Sequence, residues 1–211
     1  MSDRNLLFAV DPSLTSTGWA VFTIDDQIPR AAGVLTPPGP SFVLAERLKL
    51  LQQDVESLFR DLELGAGDVL ICEGPAPLVK NPLSSLKVER VRGIFETLAR
   101  ESGVSVPGRL NPRTVQSELL NLKGKQIPRK EVKEAARLVA DRLFGNRLSS
   151  ISFYGQLKNK KISQDIVDAL LIGSLALSKI HAGLSAGQSI LEVFNASSSF
   201  SNLHSKRVVN R

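Results

Sequence analysis

Four acidic residues in this sequence stand in apolar surroundings, where a carboxylate needs a partner. Asp165 and Asp168 lie three residues apart in the stretch SQDIVDALLIGSLAL, the most apolar helical run of the chain, so they share one side of the predicted helix. Asp11 ends the apolar run LLFAV, and Glu73 ends the run VLIC. Burial of an unpaired carboxylate is costly, so we expect a cation beside these groups.

The chemistry that fits this set of acids is metal-assisted hydrolysis of phosphodiesters. Four carboxylates brought together repel one another unless divalent cations neutralise them. Oxygen ligands suit Mg²⁺ or Mn²⁺, and two such ions about 4 Å apart activate water and stabilise the leaving oxygen. One cysteine and two histidines cannot build an ordinary structural zinc site, so we expect any metal to be held by oxygen.

Each acid also has an interpretation that needs no metal. An acid after a strand is commonly a turn or cap residue. With Ser163 as N-cap, Asp165 falls in the first helical turn, where a negative charge is favourable by about 0.3 to 1 kcal/mol. Capping explains Asp168 less well, because it lies past that turn between apolar neighbours.

The elements that must position the acids follow from hydrophobic periodicity. Apolar runs predict strands at 5–11, 18–24, 31–36, 69–74 and 104–110, and helical spacing predicts helices at 44–62, 83–103, 111–121, 128–145 and from 163 to about 181. Gly93 inside the second helix lowers helix stability by about 1 kcal/mol relative to alanine. Close approach of the sheet or of a partner subunit could offset this cost. This order predicts an α/β fold with a mixed central sheet of about five strands flanked by helices.

The organisation outside these elements is predicted to be irregular. The segment 146–162 has the composition of a long, basic, mobile loop, and the Ser-rich segment 185–211 that of a disordered tail. We therefore expect one nuclease-type domain over 1–184 and a tail over 185–211. Apolar runs such as ALLIG are too short to cross a bilayer and no signal-peptide pattern is seen, so we expect a cytoplasmic, nucleoid-associated protein without a membrane partner.

Positive charge is concentrated in the middle of the chain. Residues 1–79 carry 5 Lys/Arg and 11 Asp/Glu, a net charge of −6, whereas residues 80–161 carry 18 and 7, a net charge of +11. Such clustering is typical of a face that binds a polyanion, although solvated basic helices would give the same pattern.

Taken together, the motifs resemble the RuvC family of Holliday-junction resolvases (crossover junction endodeoxyribonucleases), which have an RNase H-like fold. AVDPSLTSTGWAVF resembles the opening hairpin of that family, VLICEG its strand ending in glutamate, and KNPLSSLKVERVRGIF the helix that follows. NPRTVQSELLNLKGKQIPRKEV is similar to its basic segment, and QDIVDALLIG to its closing helix. The match runs in order from about residue 5 to 180.

The resemblance implies an enzyme that resolves four-way DNA junctions by paired symmetric nicks in DNA recombination and repair. It implies a metal-binding catalytic tetrad of Asp11, Glu73, Asp165 and Asp168, with Lys130 as a basic group near the scissile phosphate. Two Mg²⁺ ions per active site are implied, for which Mn²⁺ can substitute. The implied partners are branched DNA and a second copy of the chain, since a two-fold symmetric junction suits an isologous dimer, and a branch-migration complex is also allowed. The basic residues that we expect at the DNA are Lys80, Lys87, Arg92, Arg113, Lys123, Lys125, Arg129, Lys130 and Lys133.

The sequence departs from the family pattern at several positions. Ser13 replaces the usual glycine after Asp-Pro, and Gln116 stands where a lysine is common, which leaves Lys123 or Lys125 to contact that phosphate. The aromatic wedge after the catalytic glutamate is missing, so Leu78 and Val79 are the candidate junction wedge.

Three other functions are compatible with parts of the pattern. The sugar-kinase and actin-like proteins share the first hairpin motif, but they usually need two such domains. An RNase H-like or YqgF-like nuclease acting on RNA or RNA–DNA hybrid would keep the fold and change the substrate. A non-catalytic nucleic-acid-binding module would use the acids only as caps, and it predicts mild consequences for Asp168→Asn.

Overall fold

The computed structural model describes residues 5–75, 82–122, 127–154 and 162–199 of the chain. Its strands are β1 Leu6–Asp11, β2 Thr17–Thr23, β3 Pro29–Leu35, β4 Val69–Glu73, β5 Ser105–Leu110 and β6 Ser152–Tyr154. Its α-helices are α1 Leu44–Asp61, α2 Pro82–Glu101, α3 Pro112–Glu118, α4 Arg129–Phe144, α5 Gln164–Ser185 and α6 Ile190–Ser199, and a 3₁₀ helix spans Gly145–Ser150.

A single mixed sheet forms the centre, with the strand order β5-β4-β1-β2-β3-β6. The strands β1, β2 and β3 form an antiparallel meander, whereas β4 lies parallel to β1 and β5 lies parallel to β4. The prediction of a mixed α/β sheet flanked by helices is confirmed. Its first five strands match the predicted runs.

Two hydrophobic cores lie on opposite faces of the sheet because successive strand residues point to opposite sides. Leu7 and Ala9 of β1 pack into the core that contains α4 and α5, and Phe8 and Val10 pack into the core that contains α1 and α2. The α5 face is the one that carries the candidate site.

The sheet has a sixth strand, which the sequence did not predict. Residues Ser152–Tyr154 pair in parallel with β3, with Ala32 opposite Phe153. The expectation of an irregular loop over 146–162 is therefore wrong for 146–154, which form the 3₁₀ helix and β6. The ring of Tyr154 in β6 packs on buried Trp19 of β2, with ring centroids 5.4 Å apart.

The segment after α5 also differs from the prediction. The expectation of a disordered tail from residue 185 is wrong for Ile190–Ser199, which form α6. Phe194 of α6 is buried, and a Cβ added at Gly108 of β5 would lie only 2.9 Å from the Cβ of Phe194. A glycine in the edge strand thus makes room for the helix that covers it.

Helix α5 is the central helix of the site face. It has 22 residues, and an 18-residue window within it has a mean hydropathy of 1.4, so by length and composition it could span a membrane, contrary to the expectation from the short apolar runs. However, 67% of that apolar window is buried inside the fold. Its apolarity is that of a core helix packed on a sheet.

Candidate active site

Asp11 and Glu73 lie at the carboxyl ends of adjacent parallel strands. Val10 of β1 is in register with Cys72 of β4, so the two acids occupy the next, equivalent positions. Alternation places Asp11 on the same face as Ala9, and Glu73 on the same face as Ile71. Both of those apolar residues belong to the α5 core, so both carboxylates lie on the face that α5 covers.

A glycine in β2 brings the start of α5 to these strand ends. Gly18 is paired with Asp11 across the β1–β2 ladder. A Cβ built at Gly18 would lie 1.9 Å from the backbone oxygen of Asp165, so only glycine allows the helix to approach this closely. Further along β2 and α5, a Cβ at Gly173 would lie 2.1 Å from the ring of Phe22. The two glycines seat the helix on the strand next to Asp11.

Neutral donors hold the two acids of α5. Ser163 is the N-cap and its side chain accepts a hydrogen bond from the backbone N–H of Ile166, as predicted. Ser16 Oγ, from the turn between β1 and β2, donates to Asp165 Oδ2 at 2.7 Å. Gln164 Nε2 donates to Asp168 Oδ1 at 2.8 Å. Both contacts orient a carboxylate without cancelling its charge.

The four acids interact electrostatically. Burial, followed by the charges of the three other acids, holds the pKa of Asp11 well above its usual range. Burial and then the charge of Asp168 raise the pKa of Glu73 to about 7. Burial is also the main cause of the raised pKa of Asp168, to which the charge of Asp165 contributes. The structure therefore places the four residues that were predicted to act together close enough for their charges to affect one another.

The chemistry of this donor set fits Mg²⁺. All four candidate ligands are carboxylates, and their mutual repulsion is what a divalent cation would relieve. Among the described residues, no three acid, histidine or cysteine side chains converge into a ready-made metal cage. The four carboxylates are thus close enough to shift one another's pKa values, but as placed here they do not enclose an ion.

No lysine or arginine neutralises the cluster within the described part of the chain. The ion pairs of 4.0 Å or less found there involve none of the four acids. Cations act on the cluster without forming an ion pair with it: the charge of Arg92 partly opposes the raised pKa of Glu73, and the charges of Lys133 and Arg137 partly oppose that of Asp168. Without an ion-pair partner or a metal ion, the cluster relieves its repulsion by holding protons, which is what the raised pKa values of Asp11, Glu73 and Asp168 express.

The position of Arg92 corrects its assignment to the DNA-binding set. Its side chain is only 2% exposed, so it cannot reach DNA in this conformation. Its Nε donates to the main-chain oxygen of Glu73 at 2.7 Å, and its guanidinium forms an ion pair with Glu89. Arg92 thus fixes the end of β4 from the face opposite to α5.

An ion-pair chain that the sequence analysis missed extends from Arg92. Arg109 of β5 donates to Glu89 at 3.2 Å and makes a two-pronged contact with Glu96, at 2.6 and 2.9 Å. The sequence held a signal for this ion-pair chain, because Arg92 and Glu96 directly follow Val91 and Phe95, which occupy buried positions of α2. These charges lie on the buried side of the helix and need one another.

A basic groove lies beside the acid cluster. It is lined by Arg129, Lys130, Lys133, Glu134, Arg137 and Gln164. Gln164 joins the groove to the cluster through its hydrogen bond to Asp168. Arg137 and Gln164 were not predicted, although Arg137 follows Lys133 at i+4 on α4. A polyanion in this groove would lie next to the four carboxylates.

The other predicted basic residues differ in how far the structure describes them. Lys130 is exposed and pairs loosely with Glu134, at 3.8 Å, so its role at the phosphate stays a prediction. Lys87, Arg113 and Arg129 are exposed on α2, α3 and α4. Five predicted residues lie outside the described ranges: Leu78, Val79, Lys80, Lys123 and Lys125.

The sequence matches no protein-family model and no curated protein. Its structure is similar to that of Thermus thermophilus RuvC in complex with Holliday junction substrate, with a TM-score of 0.62, 18% identity, and coverage of 84% of this chain and 96% of that chain. A second Thermus thermophilus RuvC structure gives a TM-score of 0.61, 20% identity and the same coverage of both chains. The likeness spans almost the whole length of those proteins, and it concerns the fold. The chain therefore has the RuvC fold that its ordered motifs predicted.

Proposed function

We propose that this chain is a Mg²⁺-dependent endonuclease that resolves four-way DNA junctions by paired symmetric nicks. The observation that carries the proposal is the cluster of Asp11, Glu73, Asp165 and Asp168, which the described lysines and arginines do not neutralise. Burial without a cation costs stability, so a functional reason for the cluster is needed. The RuvC fold supports the proposal because one solved neighbour of that fold is a RuvC in complex with Holliday junction substrate.

The residues of the cluster would hold Mg²⁺ through their carboxylate oxygens. The bound ions would lower the pKa of a water nucleophile and stabilise charge on the leaving oxygen. The chain supplies the placement: β1 and β4 present Asp11 and Glu73, and α5 presents the other two acids. The groove on α4 would hold the DNA backbone through its basic side chains, with Lys133 and Arg137 nearest to Asp168.

A homodimer is the form that suits the substrate, since two matched sites are needed to nick a two-fold symmetric junction. Helix α2 offers a surface for it. Leu83 and Leu86 are 70% and 59% exposed, and a Cβ at Gly93 would meet nothing within 4 Å, so this chain's sheet does not use that glycine. Light scattering of the purified wild type and of Leu83→Lys measures the oligomeric state of each. The wild type should be a dimer and the variant a monomer.

The decisive experiment incubates the protein with labelled four-way junction, linear duplex and RNA–DNA hybrid, each with Mg²⁺ or with a chelator. The proposal predicts paired nicks in the junction alone and only with Mg²⁺. Asp11→Asn should bind the junction without cutting it, and the exposed-acid variant Glu63→Gln should cut normally.

Other outcomes would favour the rival functions. Cleavage of the hybrid rather than the junction would indicate an RNase H-like or YqgF-like nuclease. Junction binding without cleavage by the wild type would indicate a non-catalytic binding module.

A further inference from the structure

The turn between β1 and β2 is rigidly built, and it carries Asp11 at one end. Thr17 Oγ1 donates to the backbone oxygen of Ser13 at 2.6 Å and accepts from its backbone N–H at 3.0 Å. Arg47 of α1, which is buried, donates from Nη2 to the backbone oxygen of Leu14 at 2.8 Å. Hydrogen bonds within the turn and from α1 therefore fix its shape.

Ser16 projects from this turn to a carboxylate that is 149 residues away in sequence. Its hydroxyl donates to Asp165 Oδ2 at 2.7 Å. An ionised carboxylate only accepts hydrogen bonds, so the serine is the donor, and the distance is in the range of charge-assisted O–H···O⁻ bonds. The turn that ends β1 at Asp11 thus also holds an acid of α5.

The contact is not needed to seat the helix. The first turn of α5 already lies against the backbone at Gly18, and Ile166 and Val167 are buried in the core. A lysine or arginine in place of Ser16 would hold Asp165 more strongly, but it would neutralise the acid and compete with a metal ion. A neutral hydroxyl orients the carboxylate and leaves its charge for a cation.

We propose that Ser16 is a positioning residue of the metal site, which fixes Asp165 relative to Asp11 so that both are preorganised to bind Mg²⁺. This inference rests on the proposed function. Groups that orient metal ligands by hydrogen bonding typically change metal affinity by about 10- to 100-fold when they are removed. Ser16→Ala should therefore weaken Mg²⁺ binding by roughly 10-fold or more.

The test measures Mg²⁺ affinity of the full chain by isothermal titration calorimetry, in the absence of DNA. Three variants are compared with the wild type: Ser16→Ala, Ser16→Thr and Thr15→Ala. Ser16→Thr keeps the hydroxyl and should restore most of the affinity. Thr15 lies in the same turn and its hydroxyl hydrogen bonds with Ser13 Oγ rather than with an acid of the site, so Thr15→Ala should bind Mg²⁺ like the wild type. Thermal unfolding in chelator shows whether each variant is folded.

The outcomes separate this inference from the proposed function. Saturable Mg²⁺ binding by the wild type, with equal affinity in Ser16→Ala, would overturn the role of Ser16 alone. Equal weakening by Ser16→Ala and Thr15→Ala would also overturn it, because the effect would then belong to the turn as a whole. Failure of the wild type to bind Mg²⁺ would overturn the proposed function and this inference with it.

Discussion

Replacement of Glu73 by glutamine measures how much stability the crowded carboxylates cost. The pKa of Glu73 is raised to about 7, against an ordinary value of 4.5, by burial and by the charge of Asp168. A carboxyl group whose pKa is raised in the folded state favours folding below its unfolded pKa, and this advantage is lost as the pH rises through the folded pKa. Each pKa unit corresponds to about 1.36 kcal/mol, so ionised Glu73 costs the metal-free fold about 3 kcal/mol above pH 7.

Glutamine keeps the shape of the side chain and its capacity to hydrogen bond with Asp11, but it carries no charge. In chelator at pH 8, Glu73→Gln should therefore raise the melting temperature by roughly 6 to 12 °C, since 1 kcal/mol shifts a domain of this size by about 2 to 4 °C. At pH 4 the difference should disappear, because Glu73 is then protonated in both the folded and unfolded states. Scanning calorimetry of the wild type and Glu73→Gln at pH 8 and pH 4 gives the difference in melting temperature at each pH.

Glu63→Gln is the matched control, because Glu63 is exposed and the chemical change is the same. Its free energy of unfolding should change by no more than about 0.5 kcal/mol. Addition of Mg²⁺ should reduce the difference in melting temperature between the wild type and Glu73→Gln, because the ion stabilises the folded wild type that binds it. An unchanged or lower melting temperature for Glu73→Gln at pH 8 in chelator would refute the electrostatic reasoning, and a gain that persists at pH 4 would assign it to another cause.

Three further substitutions test the parts that surround the acids. Gly18→Ala places a Cβ 1.9 Å from a backbone oxygen of α5, so it should abolish cleavage and lower the free energy of unfolding by about 1 to 3 kcal/mol. Gly39→Ala is the control, because its Cβ meets nothing within 4 Å, and it should change neither cleavage nor stability. Arg92→Met removes the buried partner of the backbone oxygen that ends β4 and should cost about 3 kcal/mol in denaturant unfolding; a loss below about 1 kcal/mol would contradict its structural role. Lys133→Ala should weaken junction binding and reduce the slope of log affinity against log salt by about 1, while Arg60→Ala on α1 should leave the slope unchanged.

The parts of the fold that sequence predicted are those in which local pattern and tertiary packing agree. Apolar runs ending in an acid identified the ends of β1 and β4, and the apolar run after Ser163 identified α5. The strand β6 has only three residues and lies in a basic segment, so it exists because β3 offers an edge to pair with. Helix α6 is Ser-rich, and its position depends on Phe194 packing against a glycine in β5, which no local pattern shows. These two elements are set by long-range contacts.

In the candidate site, too, local pattern predicted some features and long-range contacts set the others. The types of the four acids and their places on two strands and a helix were predicted, whereas the residues that hold them were not, because the contacts join distant parts of the chain. Those residues share a property: none of them forms an ion pair with the acid that it holds. Arg92 binds the backbone oxygen of Glu73, and Ser16 and Gln164 give Asp165 and Asp168 neutral donors. A fold selected only for stability would place cations on these carboxylates, as it does for Glu89 and Glu96 with Arg109. Glu89 and Glu96 have ion-pair partners and the four acids of the candidate site have none among the described residues, and this contrast argues that the four acids are left unpaired for a cation that the chain itself does not supply.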